Sequence, residues 1–370
     1  MRPAADALGD RIEVLRRLFT DHRGPEYLVR NLFMPHLRAS YDDLWRATEG
    51  ADLLVTHPIA FAGPLVAEKR GMPWASTVLA PLSLFSAIDP PLFAAAPFLY
   101  SIRRLGVTPY RWVFALAKRV AGSWEKPLHA LRAELGIPSA LRAQFEGQYS
   151  PHLNLALFSP LIAKPQADWP ANTVLCGFPR YDGSPLDPGK QGELEAFLAA
   201  GDPPLVFGLG SSAVLIADDF WDHAIEAAQR IKRRAILITG APLPSARRLA
   251  PTVRAFDSLP YSAVFPHAAA IVHSGGIGTL AQALASGRPQ LVVPVAFDQA
   301  DNARRAVVLG CARVLPFKKA TAAPLARELE ALFAGEEYAP RAQAVASEVQ
   351  REAAARTACD ALERLMISTG

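Results

Sequence analysis

Short apolar runs of four or five residues alternate with helix-length patterns along most of this chain, and that alternation leaves few folds open. Parallel strands covered on both faces read as near-continuous apolar runs, and the helical stretches between them are their crossovers. In the second half the runs Leu205–Gly208, Ala235–Thr239, Val253–Phe256, Ala270–His273 and Gln290–Val293 read as strands. In the first half Asp52–Thr56, Trp74–Leu79 and Asn154–Phe158 do so, with a helix over Gly63–Arg70. The class is α/β. The stretch from Gly177 to Gly189 is rich in Gly, Pro and Asp and reads as a linker. A long helical pattern runs from Arg341 to Met366 at the end. With 370 residues, 51% of them hydrophobic, the chain has material for two cores. Residues 1–50 offer only helical patterns, whereas a doubly wound domain ordinarily starts with a central strand. A first β-α-β unit is therefore expected upstream of Met1.

Several function classes are excluded early. The formal charge is only +4, and the basic residues form no dense run interleaved with aromatics, so nucleic acid is not expected as a partner. Cys176, Cys311 and Cys359 lie far apart without zinc-site or disulfide spacing, which fits a reducing compartment. Met1 to Thr20 mixes acidic and basic residues with no apolar core, unlike a secretory signal, so a cytoplasmic location is expected. Leu79 to Ile102 is long and apolar, but Pro81, Pro90, Pro91 and Pro97 would break a spanning helix. No transmembrane segment is expected, and peripheral membrane contact is left open.

The segment most informative about chemistry is Ala270-Ile-Val-His273-Ser-Gly-Gly-Ile-Gly278-Thr-Leu-Ala-Gln-Ala-Leu-Ala-Ser-Gly287: a strand, a glycine-rich turn, then a helix. Such a turn gathers backbone N–H groups and the positive end of a helix dipole at one point, where an anion binds. The glycine pattern alone fits equally a tight strand-to-helix turn with a satisfied histidine. It is neither G-x-G-x-x-G nor a Walker loop with its lysine, which argues against a dehydrogenase or an ATPase.

Downstream follow Gly287-Arg-Pro-Gln and Pro294-Val-Ala-Phe-Asp298-Gln299-Ala-Asp-Asn302-Ala. Together with the glycine turn, this resembles the donor-binding signature of the UDP-glycosyltransferase superfamily. The nearest likeness is to bacterial members acting on lipids and natural products, including rhamnosyltransferases, and it extends from about His57 to the final helix. The resemblance implies a GT-B fold, two Rossmann-like domains facing across a cleft. These would be an incomplete acceptor-binding domain over 1–180, a nucleotide-sugar domain over 190–340, and a final helix over 341–370 packing back on the first.

It further implies that His273, Gly276, Gly278 and Thr279 hold the donor diphosphate, helped by Ser211 in the glycine turn Phe207–Ser212. Asp298 and Gln299 would bind sugar hydroxyls, with a helix N-cap as the alternative for this pair. Ser258, Leu259 and Gln282 fall where relatives place nucleoside contacts. Ser258 stands where an aromatic ring often stacks on the base, so uracil and thymine both remain open.

The activity implied is inverting transfer of a hexose from a UDP- or dTDP-sugar to a hydroxyl of a hydrophobic acceptor. No cofactor and no metal are expected, the nucleotide sugar being a co-substrate. Such transfer needs the departing diphosphate stabilised, which the helix dipole, amides and His273 would supply, and a base for the acceptor hydroxyl; Asp298 is also a catalytic candidate. Relatives carry that base after a strand that this chain begins downstream of. His57, in Val55-Thr-His-Pro58, is the best remaining candidate, although a capping or packing histidine is the stronger reading. The aromatic-rich span Leu84–Leu116 suggests either a greasy acceptor pocket or core packing. A catalytically impaired nucleotide-sugar-binding remnant is the second functional reading, and a sugar-nucleotide epimerase a distant third.

Overall fold

The computed structural model describes residues 11–21, 23–138, 145–183, 185–217, 219–243 and 249–369. The chain divides into two compact units, Met1–Pro179 with Glu352–Gly370, and Arg180–Arg351.

The first unit carries a four-stranded sheet in the order β1 (Leu54–Thr56), β2 (Trp74–Val78), β3 (Leu153–Ala156), β4 (Thr173–Leu175), parallel throughout. The helix Ala62–Arg70 links β1 to β2 and ends at Gly71, whose φ of 64° gives the left-handed cap that stops a helix without a Cβ clash. The helical patterns before residue 50 become several short helices and a longer one, Leu37–Ala47. Val29, Met34, Leu37 and Tyr41 from this region pack with Leu65 and Leu128.

The second unit holds a six-stranded parallel sheet: β5 (Leu205–Gly208), β6 (Ala235–Ile238), β7 (Val253–Phe256), β8 (Ala270–His273), β9 (Gln290–Val292) and β10 (Ala312–Val314). Its order is β10-β9-β8-β5-β6-β7. Every residue of β5, β6, β8 and β9 is buried, which explains their uninterrupted apolar character. The core on one face runs through Leu205, Phe207, Phe220 and Leu325, and that on the other through Val206, Ile236, Phe265 and Ile271.

The final helical pattern is not one helix. It divides into Tyr338–Val349, which stays with the second unit, and Ala354–Thr369, whose Ala361 and Leu365 join Leu153 and Leu155 of β3 in the first. Glu352 makes the junction, its carboxylate accepting the Phe178 N–H at 2.8 Å. Among the described residues no helix is long and apolar enough to cross a membrane.

Candidate functional site

The order of the six-stranded sheet reverses between β5 and β8, the place where open α/β sheets bind ligands beyond the carboxyl ends of their strands. Gly208 of β5 is in register with His273 of β8, so both strands end at one level and both run into glycine turns. Gly210, at φ 76°, opens the short helix Gly210–Ala213, on which Ser211 is exposed. Gly275, at φ 84°, precedes Gly276, the N-cap of helix Ile277–Ala285. Ser274 joins the two turns by donating its hydroxyl to the Leu209 carbonyl at 2.7 Å.

The glycines have different reasons to be there. A Cβ on Gly275 would lie 2.8 Å from Val292 Cγ1 and 3.1 Å from the Gln299 carbonyl oxygen, so this position demands glycine. Cβ atoms on Gly276 and Gly278 would meet nothing within 4 Å. Open space thus lies over the start of a nine-residue helix whose first N–H groups have no helical partner, an arrangement that suits an anion. Thr279, in the first turn, is mostly buried; a Cβ at Gly210 would lie 3.5 Å from its Oγ1, so the hydroxyl faces the opposite turn. Tyr261 engages the same hydroxyl.

His273 departs from expectation. The ring is fully buried, Nδ1 accepts the Gly275 N–H at 3.1 Å, and Nε2 lies 2.9 Å from Gln290 Oε1. With Nδ1 accepting, Nε2 must carry the hydrogen and donate to Gln290. Burial pushes the imidazole down to about 4, against a smaller upward pull from the Gln290 hydrogen bond. A neutral ring with both nitrogens engaged offers a diphosphate neither positive charge nor a free donor. Its observable task is to hold the Gly275 amide and so fix the turn.

Beside the turn, the loop after β9 leads into helix Gln299–Val308. Asp298 sits at the N-cap position but makes no side-chain cap hydrogen bond. Its Oδ2 instead accepts the Asn302 Nδ2 at 2.8 Å, and the same Nδ2 reaches the Gly275 carbonyl at 3.0 Å. Burial raises the Asp298 carboxyl above its ordinary range, and the Asn302 hydrogen bond opposes this. Gln299 Oε1 accepts the amides of Val295 and Ala296 at 2.8 and 3.2 Å, which shapes the loop. Its Nε2 donor is the end left to meet a ligand.

The expected nucleoside contacts separate. Ser258 is exposed, its N–H held by Asp257, whose carboxylate also binds Lys190 and is thereby kept below its ordinary range. The Leu259 side chain lies in the core with Phe256 and Val264, so only its backbone is on offer. Gln282 donates from Nε2 to Asp182 at 3.0 Å, and Asp182 also accepts the Ser262 N–H. The carboxylate of Asp182 comes from the linker, and nothing in the local sequence marked it. Ser274 and Gln290 belong to the signature read in the sequence, but their roles, tying the two turns and holding the His273 ring, show only once their partners are placed.

In the first unit, His57 follows β1 in a small pocket lined by Phe61, Arg132 and Gln148. Its Nδ1 accepts the Ile59 N–H at 3.3 Å, and partial burial lowers its pKa. A neutral ring held this way presents Nε2–H, a donor, to its surroundings. This is a turn-capping histidine and not a free general base. The aromatic span also divides: Phe85, Phe93, Tyr110 and Phe114 cluster as core, whereas Phe98 and Trp112 are exposed. Among the described residues no three His, Cys, Asp or Glu side chains converge as metal ligands would.

Residues 223–365 match the family model described as erythromycin biosynthesis protein CIII-like, C-terminal domain. The chain is 30% identical over 362 residues to the O-mycaminosyltylonolide 6-deoxyallosyltransferase of Streptomyces fradiae, covering 93% of this chain and 81% of that protein. The solved structure of the kitacinnamycin glycotransferase matches with a TM-score of 0.64 at 20% identity, over 98% of this chain and 85% of that one. The glycosyltransferase VinC, solved in complex with dTDP, matches with a TM-score of 0.61 at 20% identity, over 97% and 86%. The architecture shared with these structures is GT-B.

Proposed function

Because this chain belongs to the family-one glycosyltransferases of bacterial natural-product pathways, we propose that it moves a hexose from a UDP- or dTDP-sugar, with inversion, to a hydroxyl of a hydrophobic small molecule. The observation that carries this reading is the open space over Gly276 and Gly278 at the start of helix Ile277–Ala285, next to the Asp298–Gln299 pair. Amides and helix dipole face the diphosphate, and Asp298 with the Gln299 Nε2 meets adjacent sugar hydroxyls. Ser211 and the Thr279 hydroxyl complete the phosphate side from the two turns.

In the reaction the acceptor oxygen attacks the anomeric carbon as the bond to the β-phosphate oxygen breaks. The departing nucleoside diphosphate takes the electron pair, and the acceptor proton leaves to a base. The growing charge falls on the leaving oxygens, where preorganised N–H donors act without reorganising, so no metal is required. Asp298 serves the donor end, and His273 contributes only by holding the Gly275 amide that fixes the turn. The group that accepts the proton is not assigned to His57, whose ring caps its own turn. The Streptomyces fradiae relative, a 6-deoxyallosyltransferase, and the dTDP bound to VinC support a dTDP-deoxyhexose as donor.

Calorimetry with UDP, dTDP and their hexose conjugates tests the donor site, and NMR of the product's anomeric proton tests the stereochemistry. Binding of one nucleotide sugar and a product of opposite anomeric configuration are expected. No binding by any nucleotide sugar overturns the site assignment. Binding without turnover across macrolide and hydroxy-fatty acceptors favours the remnant.

A further inference from the structure

Helix Val107–Ala121 is apolar on two opposite faces. One face, through Tyr110 and Phe114, closes the cluster with Phe85 and Phe93. The other exposes Trp112, Leu116 and Val120, at 70%, 65% and 53%, one above the next at intervals of four residues. The adjoining segment Pro97–Leu105 adds Phe98 at 72% and Leu105 at 73%. Scattered apolar residues on a surface need no explanation, but an aligned stripe backed by a packed face does.

The charge around the stripe narrows what covers it. Between Pro90 and Trp124 the sequence has Arg103, Arg104, Arg111, Lys118 and Arg119, and no acidic residue. Lys118 pairs with Glu146, and Arg103 lies over the Tyr100 ring. Arg104, Arg111 and Arg119 have no carboxylate partner among the described residues. A second copy packed on this stripe about a two-fold axis would bring the arginines of one copy towards those of the other, Arg111 facing Arg119 in an antiparallel contact, which like-charge repulsion disfavours. An exposed helix face with apolar residues in line and arginines beside them matches an in-plane interfacial helix, its long cationic side chains reaching headgroups as the stripe enters the acyl boundary.

We propose that the outer face of helix Val107–Ala121 docks on an anionic lipid bilayer surface. The packed inner face holds the helix side-on to the unit, so only the outer stripe enters the headgroup layer. Such a site would bring a hydrophobic acceptor's own medium to the enzyme, although it does not depend on the donor assignment.

Flotation of the whole chain with vesicles of phosphatidylglycerol and phosphatidylcholine in equal parts, against pure phosphatidylcholine, tests this. At low salt, partition onto the anionic vesicles should exceed that onto neutral ones by about tenfold or more and fall steeply with added salt. Arg111→Glu with Arg119→Glu should lose that preference, and Leu116→Ser with Val120→Ser should weaken the partition, both without lowering Tm. Absent flotation, equal flotation with neutral vesicles, or self-association in sedimentation that Leu116→Ser abolishes would each overturn the proposal, the last in favour of a second copy.

Discussion

The carboxylate of Asp298 is held by the amide of Asn302, 2.8 Å away across one helical turn, and the same amide nitrogen reaches the Gly275 carbonyl. One buried side chain therefore sets the distance between the glycine turn and the carboxylate. Asn302→Ala should cost about 1–3 kcal/mol of stability through the two lost hydrogen bonds. If Asp298 meets the sugar, the variant should lose more affinity for a nucleotide sugar than for the bare nucleoside diphosphate. Urea denaturation and paired calorimetric titrations check the two parts.

The glycines of the turn should respond in opposite senses. Gly275→Ala, with a left-handed φ and a Cβ pressed on Val292, should destabilise by about 2–4 kcal/mol. Gly278→Ala meets no neighbour and removes a glycine from a helix, so stability should rise by up to about 1 kcal/mol. Its methyl enters the space assigned to the diphosphate, so nucleoside diphosphate binding should weaken by about tenfold. A Gly278→Ala protein that binds as well as the parent would remove the anion from that helix start.

His273 gives stability a definite pH dependence. Its folded pKa of about 4 lies below the unfolded value, so the unfolded chain binds more protons between the two. The stabilisation is complete above about pH 6.5 and is lost as pH falls towards 4, on the order of 3 kcal/mol. Asp298, raised in the folded state, contributes with the opposite slope, so the comparison must be made between the parent and His273→Leu. Urea midpoints at pH 7 and pH 5 should differ less in the variant than in the parent.

Asp301 is fully buried and bridges Arg305 at 2.7 Å and Arg304 at 2.9 Å. Asp301→Ala leaves the mostly buried Arg305 without this carboxylate and should cost about 3–5 kcal/mol, whereas Asp301→Leu with Arg305→Met should cost much less. Chemical denaturation of the single and double variants measures the difference.

The parts legible in the sequence are those whose cause is local. β5 and β8 lie where short, mostly apolar runs place them, because those strands end at turns that the same few residues encode. β4 and β10 were missed because they are three-residue edge strands with partly exposed side chains and no continuous apolar run. The break before Ala354 is not legible locally, because the contact made there, the Glu352 carboxylate accepting the Phe178 N–H, involves a residue far away in the chain. The same holds at the site: the glycine turn could be read directly, but the state of His273 depends on its burial within the sheet and on its partner Gln290 in the neighbouring strand.

The return of helix Ala354–Thr369 to β3 has a consequence for biosynthesis. The first unit cannot acquire helix Ala354–Thr369 until residues 180–351, which form the other unit as one block, have been synthesised. At about 5–20 residues per second, that block separates β4 from its closing helix by roughly ten to thirty seconds of synthesis. During that interval the apolar side chains of Leu153 and Leu155 wait for Ala361 and Leu365, so a nascent chain stalled before Glu352 should be the form most readily taken up by holdase chaperones.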